Sequence, residues 1–109
     1  MIEIKIERKD NQIIGFKMSG HAESGPYGYD LVCAGASAVS FGSVNAVTTL
    51  CKIDLIIDIA SETGFLSVEI PNNINFETRK KAELIFEAMI ISLQTIENDY
   101  KQHIIIKDK

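Results

Sequence analysis

Along this chain the period-two alternation of apolar residues gives way twice to helix-like segments, and that rhythm constrains the fold more than any other feature. In residues 2–7, Ile2, Ile4 and Ile6 fall on one face and Glu3, Lys5 and Glu7 on the other. That is the signature of a half-buried strand. Asp10-Asn11 supplies turn chemistry, and Ile14, Phe16 and Met18 then resume the alternation, so the two runs predict a hairpin. Residues 20–29 break the pattern with Gly20, Gly25, Pro26 and Gly28 and read as a loop.

Asp30 is a fitting N-cap for a helix running to about Leu50. This segment is crowded with small residues, among them Ala34, Gly35, Ala36, Ser37, Ala38, Gly42 and Ser43. Glycine inside a helix costs roughly 1 kcal/mol relative to alanine, so the two glycines suggest a close approach on one side. Tight packing of helix on sheet is the expected cause at Gly42 and Ser43, which lie deeper in. Cys51 falls past this helix as a core or strand residue. Residues 53–60 alternate again around Ile53, Leu55, Ile57 and Ile59; residues 61–64 turn, and Leu66, Val68 and Ile70 make a fourth strand. Asn75 caps a second helix, and Ala82, Ile85, Phe86, Met89, Ile90, Leu93 and Ile96 form its apolar stripe. His103 flanks a short final strand at residues 104–106. The order is ββαββαβ, predicting an α+β fold in which residues 1–109 make one domain: a mixed or antiparallel sheet with two helices on one face.

Composition narrows the function. With 109 residues the chain can close one core without disulfides or a structural metal. No uninterrupted apolar run reaches the roughly 20 residues that span a bilayer, so no membrane partner is expected. Nor does Met1-Ile2-Glu3-Ile4-Lys5 resemble a signal peptide, which leads us to expect a cytoplasmic protein. Fifteen acids against eleven bases leave a net charge of −4, which argues against direct nucleic-acid binding and favours a basic partner through long-range attraction. Cys33 and Cys51 are too few for a disulfide framework. Neither paired short-interval zinc ligands nor a phosphate or dinucleotide fingerprint occurs, so no metal and no cofactor is expected.

Chemistry converges on one stretch. Gly20-His21-Ala22 ends the second strand, a glycine-rich loop follows, and Asp30-Leu31-Val32-Cys33 opens the first helix. Cys33 then lies in the first turn, where unpaired amides and the helix dipole favour negative charge. A thiolate nucleophile suits that place. An imidazole is the side chain best fitted to protonate a leaving amine, and the loop is long enough to bring His21 back to Cys33 as a nucleophile pair. Amides near Cys33 could hold an oxyanion, and Gly25 and Gly28 would let the loop act as a mobile lid. Asp30 is first a helix cap and second a candidate to orient His21. Ser37, one turn after Cys33, is a candidate for substrate contact. A buried, inert cysteine in a small-residue helix is the plainer alternative. Functionally, a non-catalytic module binding a basic partner competes with the enzyme, while a thiol transferase is disfavoured by the missing Cys-x-x-Cys.

The joint motif of Gly20-His21-Ala22 with Gly28-Tyr29-Asp30-Leu31-Val32-Cys33-Ala34-Gly35-Ala36-Ser37 resembles the signature of the Prp family of ribosomal-processing cysteine proteases, and the resemblance covers essentially the whole chain. It implies a cysteine endopeptidase that removes a short N-terminal extension from a large-subunit ribosomal protein, number twenty-seven. It further implies that His21 and Cys33 are the catalytic pair, that the loop between them is mobile, and that the protein is a homodimer.

Overall fold

Asp10 and Asn11 both take positive φ, 52° and 67°, the backbone of a tight two-residue turn whose twist matches that of the strands it joins. It links β1 (Ile2–Lys9) to β2 (Gln12–Ser19) in an antiparallel pair. The computed structural model describes residues 1–20 and 30–108; the remaining elements are α1 (Leu31–Cys51), β3 (Ile56–Ala60), a 3-10 turn (Ser61–Thr63), β4 (Phe65–Glu69), α2 (Phe76–Asp99) and β5 (Ile104–Asp108). The sheet order is β3-β4-β2-β1-β5, antiparallel throughout except where β5 lies parallel to β1. The ββαββαβ order and the mixed sheet agree with the sequence reading.

One correction arises inside the hairpin. Glu7 pairs with Gly15 but Arg8 pairs with Ile13, so Ile14 is an extra residue, a β-bulge that shifts the face of everything before it. Ile13 therefore enters the core at 1 % exposure while Ile14 faces out. Alternation through Ile14, Phe16 and Met18 holds only for the last two. Smaller corrections concern element ends. Cys51 is the final residue of α1, which Lys52 stops in the left-handed conformation (φ 55°). The third strand begins at Ile56, with Ile53 buried ahead of it, and the last strand runs on to Asp108.

Both helices cover one face. Met18 and Ile4 pair, as do Phe16 and Ile6, and residues opposite each other point to the same side. Ser40 of α1 donates its hydroxyl to Met18 Sδ at 3.7 Å, while Phe86 of α2 packs edge-on against Phe16 with ring centroids 5.5 Å apart. Beneath them lie Ile2, Ile4, Leu66, Val68 and Ile104, all but sealed from solvent. Over its 21 residues α1 carries no charge, and by length and composition it is apolar enough to cross a bilayer, against the expectation from uninterrupted runs. Here Val32, Ala36, Ser40, Val44 and Val47 are built into the core instead. The expected cause for Gly42 also fails: a Cβ there would meet nothing within 4 Å. Gly42 and Ser43 face a shallow groove shared with Ile85 and Ala88 of α2, away from the sheet.

Away from the end of the sheet where α1 begins, Arg8 ties three elements together. It forms paired bonds to Asp108 (2.6 and 2.9 Å) and to Glu87 (2.8 and 3.0 Å), and it donates to the Asn11 carbonyl at 3.0 Å. Those bonds raise the Arg8 guanidinium well above its ordinary value and hold Asp108 below its own. Because the folded state depresses Asp108, its contribution is complete above the unfolded carboxyl value near about 3.9 and is lost as pH falls through the lowered native value. Arg8→Ala should cost about 2 kcal/mol near neutrality, since charged hydrogen bonds of this kind are worth roughly 1.5–3 kcal/mol. Urea unfolding of wild type and Asp108→Asn should show a stability gap at pH 7 that narrows below about pH 4.

Candidate active site

Residue Asp30 enters α1 in extended conformation (φ −78°, ψ 90°) and its carboxylate accepts the Cys33 N–H at 2.9 Å. Its carbonyl accepts the Ala34 N–H at 3.0 Å. The cap read from sequence is thus made on the backbone of the candidate nucleophile itself. The Cys33 amide is thereby engaged by the Asp30 carboxylate. Asp30→Ala should cost about 1 kcal/mol of stability, whereas Asp30→Asn, which keeps an acceptor at the cap, should lose only a few tenths. Thermal unfolding of the two variants checks this directly.

Beyond the cap, spacing along the helix takes over. Cys33, Ser37 and Phe41 succeed one another at single turns and line the same cleft, as residues four apart share a helix face. Its floor is apolar and buried: Ile2 at the start of β1, Met18 near the end of β2 and Leu66 in β4. Gly20, Ile59 of β3, and Gly64-Phe65 at the β3–β4 turn complete the lining. None of these residues is charged. Cys33 is partly buried and packs against the core while opening onto the cleft, so its thiol is not sealed inside. Ser37 stands beside it, as its spacing required.

The cleft volume is about 190 Å³, below the roughly 300–1,000 Å³ of sites that swallow a whole small molecule. Such a space takes one large apolar side chain of a longer ligand. Sequence reasoning did not find Phe41, Ile59 or Phe65 as lining, because five separate elements build the cleft and no local pattern marks its opening.

Gly20 is required twice over. Its φ is +89°, and a Cβ at this position would run into the Met1 carbonyl oxygen. His21 follows it directly in sequence; His21, Gly25 and Gly28 lie outside the described residues, so the pair and the lid are not placed. Cys51 sits 18 residues beyond Cys33 on the same helix, a separation of about 27 Å at 1.5 Å per residue. A disulfide needs Cα atoms within about 7 Å, so the two thiols cannot pair within one chain, and dithiol exchange between them loses its ground. His103 flanks β5 as expected, its amide donating to the Tyr100 carbonyl at 2.8 Å and its carbonyl accepting from Ile2 at 2.8 Å.

Comparison with known proteins gives this geometry a context. Residues 1–105 match the family described as cysteine protease Prp. The ribosomal processing cysteine protease Prp of Bacillus subtilis is 46% identical over 105 residues, 95% of this chain and 94% of the relative. Its namesake from Staphylococcus aureus is 41% identical over the same length, 95% of each chain. A crystal structure of the S. aureus Prp with a covalently linked product peptide superposes with a TM-score of 0.89 at 40% identity, covering all of both chains. Another, with a substrate peptide, gives 0.85 at 37%, again over both whole chains.

Proposed function

From the premise that this chain belongs to the Prp family of ribosomal-processing cysteine proteases, we propose that Cys33 and His21 cleave a short N-terminal extension from the precursor of large-subunit ribosomal protein number twenty-seven. The observation that carries this reading is the place of Cys33: first turn of α1, partly exposed, on the wall of a cleft that is uncharged among its described lining residues and sized for one side chain. Relatives of the same fold hold a substrate peptide and a covalently linked product peptide, which supports a peptide in this cleft as well.

In this mechanism the Cys33 sulfur attacks the scissile carbonyl, and the C–N bond breaks as His21 delivers a proton to the leaving amine. The thioester then takes up water, activated by His21, and releases the N-terminal fragment as a carboxylate. Gly20, held at positive φ against the Met1 carbonyl, immediately precedes His21 in the sequence. Asp30 orients His21 in this reading, and Ser37 contacts the substrate. If so, Asp30→Asn lowers kcat with stability and KM nearly unchanged; equal activity would leave Asp30 as a cap alone. A large-subunit ribosomal protein is basic, and the −4 charge of this chain attracts it at long range. Such a substrate places the enzyme in the cytoplasm.

Mixing the protein with the precursor and reading the new N-terminus by mass spectrometry is the test. A single cut near the N-terminus is expected. A precursor bound but left intact would favour the non-catalytic module and overturn the assignment. The family resemblance also carries a homodimer; sedimentation at micromolar concentration should show twice the 12.1 kDa chain mass, and one species of monomer mass would refute it.

A further inference from the structure

β3 is an outer strand, and among the described residues it pairs only with β4. A strand paired on one side leaves half of its amide and carbonyl groups facing outward, a template for another chain. Natural edges are commonly blunted by charged side chains, proline or a covering element, and β3 carries a single charge, Asp58. This one reads Ile56-Ile57-Asp58-Ile59-Ala60, and all five residues are exposed. Ile57 pairs with Val68 and Ile59 with Leu66, whose side chains lie in the core under the helices, so both isoleucines stand on the helix side of the sheet. Even there Ile57 remains 42 % exposed and Ile59 53 %. The edge is also continuous with the cleft, since Ile59 is one of the residues facing Cys33 across it.

We propose that β3 is the docking edge for the polypeptide substrate. An extended segment adds to it as a sixth strand, its backbone bonded to the outward groups of β3 and its alternate side chains laid against Ile57 and Ile59. The residues that follow pass the Ala60 end into the cleft, where the scissile bond meets Cys33. Five residues of strand reach about 17 Å, so four or five substrate residues are held this way. Main-chain bonds give affinity, and the two isoleucines select apolar residues at every second position. This inference rests on the peptidase reading.

Folded Cys33→Ala protein can be titrated calorimetrically with a synthetic peptide spanning the N-terminal extension of the precursor, carrying one backbone N-methyl group at each position in turn. Strand addition predicts a period of two: about tenfold weaker binding at alternate positions and less than twofold change between them. Hydrogen exchange at residues 56–60 should slow when the unmodified peptide binds. An N-methyl scan without the two-residue period, or exchange at β3 unchanged by peptide, overturns the inference. Protection of β3 that rises with protein concentration in the absence of peptide assigns the edge to a second copy of the chain and overturns it too. Cleavage of the unmodified peptide by wild type but not by Cys33→Ala keeps the peptidase reading standing in each of those cases; without Cys33-dependent cleavage that reading falls itself.

Discussion

Cys33→Ala should lower precursor cleavage by about 10⁴-fold or more while the protein stays folded, because the proposed mechanism makes Cys33 the nucleophile, and removing a nucleophile costs nearly all of such a rate. Stability should change by less than about 1 kcal/mol. The substitution deletes one sulfur from a partly exposed cleft wall, and alanine is the better helix former. The cap is unaffected, since Asp30 bonds the backbone of residue 33 and not its side chain. Rate and unfolding midpoint measured on the same preparation separate a lost nucleophile from a lost fold. Cys51→Ala is the control: Cys51 closes the far end of α1, and its removal should leave the rate within about twofold.

The second large effect is structural. Gly20→Ala should destabilise the protein by about 3 kcal/mol. Roughly 1–2 kcal/mol comes from forcing an L-residue to positive φ, and a further 1–3 kcal/mol from a methyl group where no space exists. Gly20 adopts φ +89° against the Met1 carbonyl, so neither cost can be relieved without moving β1 or β2. For a domain near 100 residues this lowers the melting temperature by more than about 10 °C. Gly20 also lines the cleft and precedes His21, so whatever enzyme remains folded should show a lower kcat. Calorimetry and steady-state kinetics below the transition measure the two effects separately.

Much of this architecture is legible in the chain. Ile2, Ile4 and Ile6 announce the first strand, and Asp10-Asn11 its turn; Asp30 and Asn75 announce both helix starts, each confirmed by a side-chain bond to an amide three residues on. Local patterns sufficed there because each signal and its structural effect lie within one turn or one strand. The bulge at Ile14 escaped because it depends on how β2 registers with β1, a pairing between strands. Gly42 misled for a related reason: composition shows that a helix is narrow, not which neighbour lies beside it. In the cleft, Cys33 and Ser37 are legible from helix spacing, and Asp30 beside it from its capping chemistry. Ile59 and Phe65, which close the cleft from the β3–β4 edge of the sheet, meet Cys33 only through the tertiary fold.

In the proposed mechanism one sulfur, on the first turn of α1, makes and breaks the bond to substrate. Graded alkylation with iodoacetamide, mapped residue by residue by mass spectrometry, tests it most directly when remaining cleavage is measured at each step. Loss of activity should follow Cys33 modification one for one, be slowed by bound peptide, and be indifferent to Cys51. Full modification of Cys33 with cleavage undiminished would contradict it.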